Sequence, residues 1–505
     1  VCTYEMDDTP PFELNQQALD IALEITMLLG CKLVSEGHIA RNQYLDGSIP
    51  TGFQRTTILG VDGSIPYGDR RIGIIQLGLE EDACREITDI GHDRVYRTDR
   101  LGIPLIETVT YPEMRTPQEV ADVAQVIRHL TRSTGKVRTG MGRTRQDVNF
   151  SVTGGRRIEI KGVPRIPIIP LLVHNEAFRL LALLDIQKTL NDRGVTEDTF
   201  KYDSIEVTDV LKGTQYYPVT RALKDGLEVH AVVLRGFAGI LPMKTQPETK
   251  FSKEISDRVR VVACLDRLPN IAHSDSEGET FSSAEWTKIK KHAKMKEGDV
   301  VVVVWGNTED ATMGISEIAL RAKEATAGIP DETRQALADG TNGFERILPG
   351  PNRMYPDTDL PPLAITEERI ERIRSNLAEL PWDRQKRYEE MGLDTETARK
   401  MSISKRRYAF DAAVSGTEFA PLTVAELLLG GMRRLRRRDG AAGARDHGHQ
   451  RRARSCVWRR AACANSRARS GGKGAEWRPG GRTRCRGGRH RLVVARCLGD
   501  RSRRR

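Results

Sequence analysis

The sequence lacks the short motifs that most often mark a nucleotide-binding or hydrolytic site. It contains no GxxxxGKS/T, GxGxxG, HExxH or GxSxG pattern and no two cysteines spaced as CxxC. Any nucleotide chemistry therefore does not depend on a P-loop, and a zinc site built on paired cysteines is not indicated.

Long apolar runs are also absent. No stretch of about 18 consecutive apolar residues occurs, and the chain opens VCTYEMDD, without a basic segment followed by an apolar one. The sequence therefore predicts neither a transmembrane helix nor a signal peptide, and we expect no membrane contact. Residues 1–438 hold only Cys2, Cys31, Cys84 and Cys264, a scattered set typical of a reduced, cytoplasmic protein.

Excess positive charge is confined to the end of the chain. Residues 439–505 hold 20 of the 80 Lys and Arg residues but only 4 of the 69 Asp and Glu residues, which leaves residues 1–438 with a net charge of −5. The same segment has no Ile, Met, Phe or Tyr and no helical or strand periodicity, so we expect it to be disordered. Two interpretations stay open: an Arg/Gly-rich tail that binds RNA, or a GC-rich coding sequence read out of frame.

One stretch, Leu79 to Glu107, combines two acidic centres with a basic cluster. Its charged residues are Glu80, Glu81, Asp82, Arg94, Arg97, Arg100 and Glu107. Carboxylates suit a hard divalent cation such as Mg²⁺, and guanidinium groups suit phosphate, so the pattern fits a metal-bound polyphosphate. A solvated acidic turn beside surface ion pairs would give the same pattern.

Local signals predict the elements around this stretch. A first helix should begin with Thr9 as N-cap and end at Gly30. Residues 32–78 are predicted to form short strands with turns at 46–47 and 62–63, ending in a buried strand over 72–75. A second helix should begin at the capping box Thr116-Pro117-Gln118-Glu119.

Residues 145–162 predict a β-hairpin whose turn is Gly154-Gly155. Alternation places Val148 and Phe150 on an apolar face. The opposite face carries Asp147, Asn149, Glu159 and Lys161. This polar face could line a nucleotide or acid site, or it could simply face solvent.

The second half of the chain predicts an α+β fold with an inserted module. A long helix is expected over 172–190, and strands over 229–241 and 300–304 with a helix over 310–325 indicate a compact module at about 222–330. The resulting division is a domain over 1–221, the inserted module over 222–330, a return over 331–364, a helical domain over 365–438 and the tail over 439–505.

Six stretches, in this order, resemble one family. They are YEMDDTPPFELN, YLDGSIPTGFQRT, LGLEEDACREITDIGHDRVYRTDRLGIPLIETVTYPEMRTPQE, TRQDVNFSV, RIEIKGVPRIPIIP and RMYPDTDLPPL. The chain, over roughly residues 1–438, is similar to the E-type subunit of archaeal glutamyl-tRNA(Gln) amidotransferases and to its bacterial relative, the B-type subunit; together these form the GatB/GatE family. The module at about 222–330 resembles the GAD domain of bacterial-type aspartyl-tRNA synthetases. The resemblance implies a cradle of mixed and antiparallel sheets, a GAD-like insert and a helical region.

The resemblance also implies a reaction. The family uses ATP and Mg²⁺ to phosphorylate the γ-carboxylate of glutamate misacylated onto tRNA(Gln), and ammonia then displaces phosphate to give glutaminyl-tRNA(Gln). Ammonia comes from a separate asparaginase-like glutaminase, the D-type subunit, so a heterodimer or a dimer of heterodimers is expected. The alternative is a non-catalytic RNA-binding protein, or an inactive truncated product, that uses only the basic tail.

Site residues follow from the same resemblance. Glu81 and Glu107 match the family's metal-ligand positions, and Tyr44 matches a tyrosine near the reacting groups. The expected lining of the nucleotide and substrate cradle comprises Arg100, Asp147, Asn149, Glu159 and Lys161. Two departures are expected to matter: the family's opening strand, with a Glu-x-His element, would precede Val1, and the tail does not resemble the family's tRNA-binding tail domain.

Overall fold

The computed structural model describes residues 11–44, 47–140, 142–276, 278, 280–347, 353–431 and 493–496. Over these residues the chain is a mixed α+β protein in which most strand pairs are antiparallel. The helices are α1 (Gln16–Leu28), α2 (Pro117–Ser133), α3 (Ile169–Asp192), α4 (Tyr217–Lys224), α5 (Phe251–Val262), α6 (Ser283–His292), α7 (Thr308–Ala327), α8 (Glu367–Arg374), α9 (Pro381–Glu390), α10 (Thr395–Ser402), α11 (Arg407–Gly416) and α12 (Pro421–Glu426), and a π-helical segment, Leu427–Gly431, follows α12.

The strands form three larger sheets and several short pairs. They are β1 (Lys32–Leu33), β2 (Glu36–Gly37), β3 (Ile39–Gln43), β4 (Phe53–Tyr67), β5 (Arg70–Asp82), β6 (Arg85–Ile90), β7 (Asp93–Arg97), β8 (Ile103–Thr110), β9 (Gln146–Phe150), β10 (Ile158–Val163), β11 (Tyr202–Glu206), β12 (Glu228–Leu234), β13 (Lys244–Gln246), β14 (Thr249–Lys250), β15 (Ile271–His273), β16 (Val300–Gly306), β17 (Glu332–Ala336), β18 (Asn342–Ile347), β19 (Met354–Pro356), β20 (Leu363–Ala364) and β21 (Val493–Arg496).

The first sheet is antiparallel and has the order β19-β3-β4-β5-β8, with β1 paired to β4. Helix α1 covers one face, where its buried Leu19 and Leu23 share a core with Leu59, Leu77 and Leu79 of β4 and β5. Because side chains alternate across a strand, every second residue of β5 faces away from this core. The face opposite α1 is therefore free to carry polar side chains.

Helix α1 begins later than the sequence predicts. Its N-cap is Asn15, whose side chain accepts a hydrogen bond of 2.9 Å from the backbone N–H of Ala18. The predicted N-cap, Thr9, lies outside the described residues, and residues 11–15 are not helical. The predicted end is confirmed, since Gly30 has φ of 65°, a left-handed conformation that suits glycine.

The predicted turn at Asp62-Gly63 is wrong. Strand β4 passes through these residues, and pairs with β5 on both sides of them, Val61 with Gln76 and Gly63 with Ile74. Asp62 adopts φ of 57° within the strand, so a local kink replaces the reversal that an Asp-Gly pair suggests.

The second sheet has the order β18-β17-β10-β9 and contains the predicted hairpin. Strands β9 and β10 are antiparallel and pair Val148 with Ile160, and both side chains are buried. Strand β17 joins β10 in parallel, which makes the sheet mixed. Helix α3 packs behind it and includes the predicted 172–190 helix.

The third sheet, β11-β12-β16-β15, lies in the region of the predicted inserted module. Strand β16 is buried along its whole length, as expected when helices cover both faces. Strand β12 ends at Leu234, earlier than the predicted 229–241 strand, whereas α7 contains the predicted 310–325 helix. The edge strand β11 comes from residues before the predicted boundary at 222. One continuous core runs from the second sheet through α3, α5 and α7 into the third.

A network of buried charged side chains lies within this shared core. Arg179 of α3 donates hydrogen bonds to Glu254 of α5 at 2.6 Å and to Glu176 at 2.8 Å, and it also pairs with Glu332 of β17. Arg321 of α7 reaches the other oxygen of Glu254 at 3.2 Å. The network ties three helices to the second sheet through groups that are almost completely buried.

Strands β5 and β8 are connected through the hairpin β6–β7, which reaches the third-sheet region. At its tip the backbone N–H of Gly91 donates to Asp266 at 2.5 Å, and His92 Nε2 lies 2.9 Å from Asp310 Oδ1 at the start of α7. The hairpin therefore bridges the first sheet and the module that carries the third.

The chain after the sheets is helical, as predicted, from α8 to residue 431. Residues 432–438 and almost all of the tail lie outside the described residues. The predicted disorder of the tail concerns these residues and stays a prediction. Residues 493–496 form β21, which pairs with β7 in antiparallel orientation. Helix α3 with its preceding turn, residues 166–192, is long and apolar enough to cross a membrane by length and composition alone. Half of its most apolar 18-residue window is buried inside the protein, as in a core helix, so this does not contradict the prediction of no transmembrane helix.

Candidate active site

Two glutamates meet on the face of the first sheet that points away from α1. Glu107 of β8 pairs in register with Gly78 of β5, and Glu80 is two residues further along β5. Residues two apart on a strand share a face, so Glu80 and Glu107 are neighbours, and their carboxyl groups share a hydrogen bond.

Burial and nearby negative charges raise the pKa of both carboxyl groups. The pKa of Glu80 is raised from 4.5 to about 7, first because burial disfavours its charge and second because Glu107 repels it, while a hydrogen bond with Thr56 opposes the rise. The pKa of Glu107 is also raised, mainly by burial and then by the nearby Asp147. Such a pair is stabilised either by a proton or by a cation held between the two carboxylates.

The hairpin β9–β10 brings further charges to the same place. Lys161 Nζ lies 3.6 Å from Glu159 Oε1 and 3.8 Å from Asp147 Oδ2, and the other oxygen of Asp147 accepts a 2.9 Å hydrogen bond from the backbone N–H of Gly162. Asn149 pairs in register with Glu159, so its side chain is on the same face. The structure therefore brings these four predicted residues together near Glu107.

Tyr44 also belongs to this face. Its hydroxyl donates to Gln54 Oε1 at 3.3 Å, and Gln54 Nε2 lies 3.4 Å from Glu80 Oε2. The guanidinium groups of Arg346 and Arg353 lie 5.0 and 5.3 Å from the centre of the Tyr44 ring. Tyr44 thus connects the carboxylate pair with two cationic side chains.

The structure separates Glu81 from Glu107. Glu81 pairs in register with Pro104, so its side chain lies on the α1 side of the sheet, and its carboxylate is 3.7 Å from Arg55 Nη1. Arg55 in turn donates to the buried Asp357 at 2.6 Å. The shared cation of Glu81 and Glu107 stays a prediction, but the register places Glu80 rather than Glu81 on the face of Glu107, because a shift of one residue along a strand moves a side chain to the opposite face.

Arg100 is next to the site rather than within the carboxylate group. Its Nε lies 3.0 Å from Asp82 Oδ2, and its Nη2 donates to the backbone carbonyl of Cys84 at 2.8 Å. Its charge is therefore matched by Asp82, at the end of β5.

The sequence placed Glu80 in the acidic stretch without singling it out, and it gave no indication of Glu345. Alternation from the buried Leu77 and Leu79 would have assigned Glu81 to the core face and Glu80 to the opposite face. Glu345 of β18 has a raised pKa, mainly from burial, and its charge interacts with Lys161. It comes from a strand far along the sequence, so no local pattern connects it with the hairpin.

The donor set suits a metal that also binds phosphate. Within the residues that the structure describes, no three His, Cys, Asp or Glu side chains converge closely enough to hold a metal ion by themselves. Mg²⁺ usually takes only one or two carboxylates from the protein and completes its shell with water and phosphate oxygens. Glu80 and Glu107 supply two, and burial together with nearby negative charge raises both pKa values, so a cation between them would relieve the cost of their ionisation.

Comparison with known proteins identifies the family. The model of the GatB/GatE catalytic domain matches residues 3–371. The chain belongs to the GatB/GatE family. It is 40% identical over 413 residues to the E-type subunit of glutamyl-tRNA(Gln) amidotransferase from Pyrococcus furiosus. This alignment covers 81% of this chain and 65% of that relative. The corresponding protein of Methanocaldococcus jannaschii is 39% identical over 441 residues, or 86% of this chain and 69% of the relative.

A third GatB/GatE relative, the E-type subunit from Methanopyrus kandleri, is 38% identical over 448 residues, which are 87% of this chain and 69% of the relative. The chain thus spans about two thirds of the length of these relatives. The match to the catalytic domain contains all four strands that carry Glu80, Glu107 and the hairpin charges. Membership of the family confirms the resemblance found in the sequence.

Proposed function

We propose that the chain is the subunit of a tRNA-dependent amidotransferase that activates and amidates glutamate carried by tRNA(Gln). ATP would phosphorylate the γ-carboxylate, and ammonia would then attack the acyl phosphate and release phosphate, leaving glutaminyl-tRNA(Gln). The relatives support this reaction, since they are named as the E-type subunit of glutamyl-tRNA(Gln) amidotransferase. The observation that carries the proposal is the pairing of Glu80 with Glu107 beside Lys161.

Each group in the site has a role that its position supports. Glu80 and Glu107 would hold Mg²⁺, which neutralises charge on phosphate oxygens when bound. Lys161 provides an ammonium group that can contact a phosphate oxygen, and Asp147 and Glu159 keep it in place. Activation requires two anionic reactants, a carboxylate and a polyphosphate, to approach each other, so these cationic contributions lower the barrier.

The hydroxyl group of Tyr44 would position the γ-carboxylate of the glutamate that accepts the phosphoryl group. Its hydroxyl already bonds Gln54, which lies against Glu80, so an acceptor bound there would be next to the carboxylate pair. Arg346 and Arg353, which both lie against the ring, add positive charge where the phosphate or carboxylate would lie.

Partners and location belong to the same proposal. We infer that ammonia comes from a separate asparaginase-like glutaminase, since the relatives are named as one subunit of an amidotransferase. We expect a heterodimer or a dimer of heterodimers that works in the cytoplasm. The match to the family covers residues 3–371 and favours this interpretation over a protein that acts only through its basic tail.

Substitution of the paired glutamates tests the proposal. With ammonium chloride as nitrogen donor and glutamyl-tRNA(Gln) as acceptor, Glu80→Gln and Glu107→Gln should each lower phosphate release and glutaminyl-tRNA formation about 100-fold or more. A loss of this size corresponds to about 3 kcal/mol of transition-state stabilisation. Supplying ammonia directly makes the result independent of the glutaminase.

Glu81→Gln is the matched control, because it removes a carboxylate from the neighbouring residue on the other face of the same strand. We expect its activity to stay within about threefold of the unsubstituted chain, since its partner Arg55 keeps its bond to Asp357. Equal losses in the Glu80 and Glu81 variants, or full activity of Glu107→Gln, would overturn the assignment.

A further inference from the structure

Five lysines are concentrated in the last two turns of α6 and the loop that follows it, in the region of the third sheet. Helix α6 buries Trp286 and Ile289, which leaves its other side to solvent. The lysine surface consists of Lys288, Lys290, Lys291, Lys294 and Lys296. The first three belong to α6, and the last two follow it in the short loop that leads to β16.

Helix geometry brings two of these lysines together and keeps the following loop nearby. Lys288 and Lys291 are three residues apart on α6 and are therefore neighbours on the helix surface. Lys294 has φ of 50°, so the chain turns sharply at the end of the helix and keeps the loop close to it. Four of the five side chains are exposed, and Lys290 is half-buried.

The charge of this surface is not matched within the described part of the chain. None of the five ammonium groups forms an ion pair with a described acidic residue. Glu285 is occupied in the capping box at the start of α6, where it accepts a 2.8 Å hydrogen bond from the backbone N–H of Ser282. Asp299 pairs with Arg235 at 2.6 Å, and Glu297 is the remaining acid of the segment.

Stabilisation of the C-terminal end of α6 explains only some of these lysines. Lys290 and Lys291 lie in the last turn of α6, where positive charge is favourable beside the negative end of the helix dipole. Lys288 is a turn earlier, and Lys294 and Lys296 lie beyond the helix, so the dipole does not account for them. Residues 1–438 carry a net charge of −5, which makes an unmatched positive surface stand out.

The composition of the surface favours a nucleic acid over a protein. Protein interfaces are depleted in lysine and contain exposed aromatic or aliphatic anchors. Between residues 282 and 299, no large apolar side chain is exposed among the residues that the structure describes. Several mobile ammonium groups without an apolar centre suit the regularly spaced phosphates of RNA.

We propose that Lys288, Lys291, Lys294 and Lys296 bind the sugar–phosphate backbone of the tRNA substrate. This inference rests on the proposed function for the identity of the RNA. The contacts position the RNA and read no base sequence, because ammonium groups on phosphate carry no information about the bases. The module would then be a second attachment point for the RNA, separate from the carboxylate site.

Lysine acetylation tests the contact directly. The full chain is treated briefly with an acetylating reagent, with and without an unacylated tRNA(Gln) transcript, and modified lysines are located by mass spectrometry. We expect tRNA to reduce modification of the four lysines at least about threefold. Lys188, Lys224 and Lys323 are exposed lysines on other helices and should be modified equally in both samples.

A charge-reversed variant gives an independent measurement. Substituting Lys288, Lys291 and Lys294 by Glu should weaken tRNA binding and reduce the slope of log K against log salt by about 2 to 3, since each lost phosphate contact removes slightly less than one released counterion. The same substitutions at the three control lysines should leave the slope within about 0.5 of its original value. Circular dichroism verifies that both variants are folded.

The outcomes separate this inference from the proposed function. Equal acetylation with and without tRNA, together with an unchanged salt slope, overturns the inference. Protection by the glutaminase but not by tRNA also overturns it and assigns the surface to a protein partner. Neither measurement needs turnover, so protection of the lysines in a chain without amidotransferase activity would contradict the proposed function alone.

Discussion

The carboxylate pair makes the first sheet sensitive to pH, and Glu80→Gln should remove that sensitivity. Glu80 has a pKa of about 7 in the folded protein against 4.5 as its ordinary value. Between these two pH values the folded state holds a proton that the unfolded state has lost. The stability contribution of the protonated carboxyl is fully present below pH 4.5 and is lost as pH rises through 7.

The rise in the pKa of Glu80 gives the approximate size of this loss of stability. At roughly 1.4 kcal/mol for each pH unit, the rise in the pKa of Glu80 corresponds to about 3 kcal/mol of lost stability above pH 7. Glutamine keeps the shape of the side chain and carries no charge, so the variant should be more stable than the unsubstituted chain at pH 8. At pH 5, where Glu80 is mostly protonated, the two should differ little.

Hydrogen exchange of peptides from β5 and β8, followed from pH 5 to pH 8 with correction for the intrinsic exchange rate, reports the stability of this sheet itself. Protection should fall with pH in the unsubstituted chain and stay nearly constant in Glu80→Gln. Glu81→Gln is the control and should retain the fall, because its carboxylate is on the other face. A Glu80→Gln chain whose protection falls as steeply as that of the unsubstituted chain would refute the reasoning. Addition of Mg²⁺ at pH 8 should restore protection only when Glu80 is present.

Two further substitutions test the packing of the protein core. Arg179→Met leaves the buried Glu254 and its neighbouring carboxylates without their central cation. The free energy of unfolding measured in urea should therefore fall by about 3–5 kcal/mol. A fall of less than about 1 kcal/mol would mean that the network is dispensable. Gly60→Ala places a methyl group 2.2 Å from Thr26 Cγ2 and should cost about 1–3 kcal/mol in the same assay. Gly213→Ala meets no atom within 4 Å and serves as its control, and an equal effect of the two alanines would contradict the steric explanation.

Local rules predicted the elements that depend on local interactions. The start of α2 is an example, since Thr116 accepts a hydrogen bond from the backbone N–H of Glu119 and Pro117 occupies the first turn. The hairpin β9–β10 is another, because alternation along its two strands determines which side chains face the core. These features need no information about distant parts of the chain.

Tertiary pairing decided the features that the sequence did not predict. The Asp62-Gly63 pair resembles a turn, but β5 pairs with β4 on both sides of it and keeps the strand intact. Glu345 enters the site because β17 lies in parallel beside β10 and brings β18 with it, a contact between segments that are far apart in sequence. The order of strands in a mixed sheet is not encoded in any short stretch.

Which of Glu80 and Glu81 faces Glu107 depends both on a local rule, alternation along the strand, and on tertiary pairing of β5 with β8. Family resemblance implied a metal ligand at Glu81, whereas the register of β5 against β8 places Glu80 on the same face as Glu107. The buried Leu79 contains the information needed, because in a regular strand its neighbour Glu80 must face the other way. Alternation applied to consecutive acids therefore predicts which of them share a face.

The docked tip of the hairpin β6–β7 has a mechanical consequence. The hairpin leaves the sheet after the strand that holds Glu80 and returns at the strand that holds Glu107, and its far end is fastened to the third-sheet module by Gly91 and His92. The hairpin is therefore held at both ends, by the first sheet and by the third-sheet region. A connection attached at both ends restricts how the third-sheet region can move relative to β5 and β8, the strands that hold the two carboxylates.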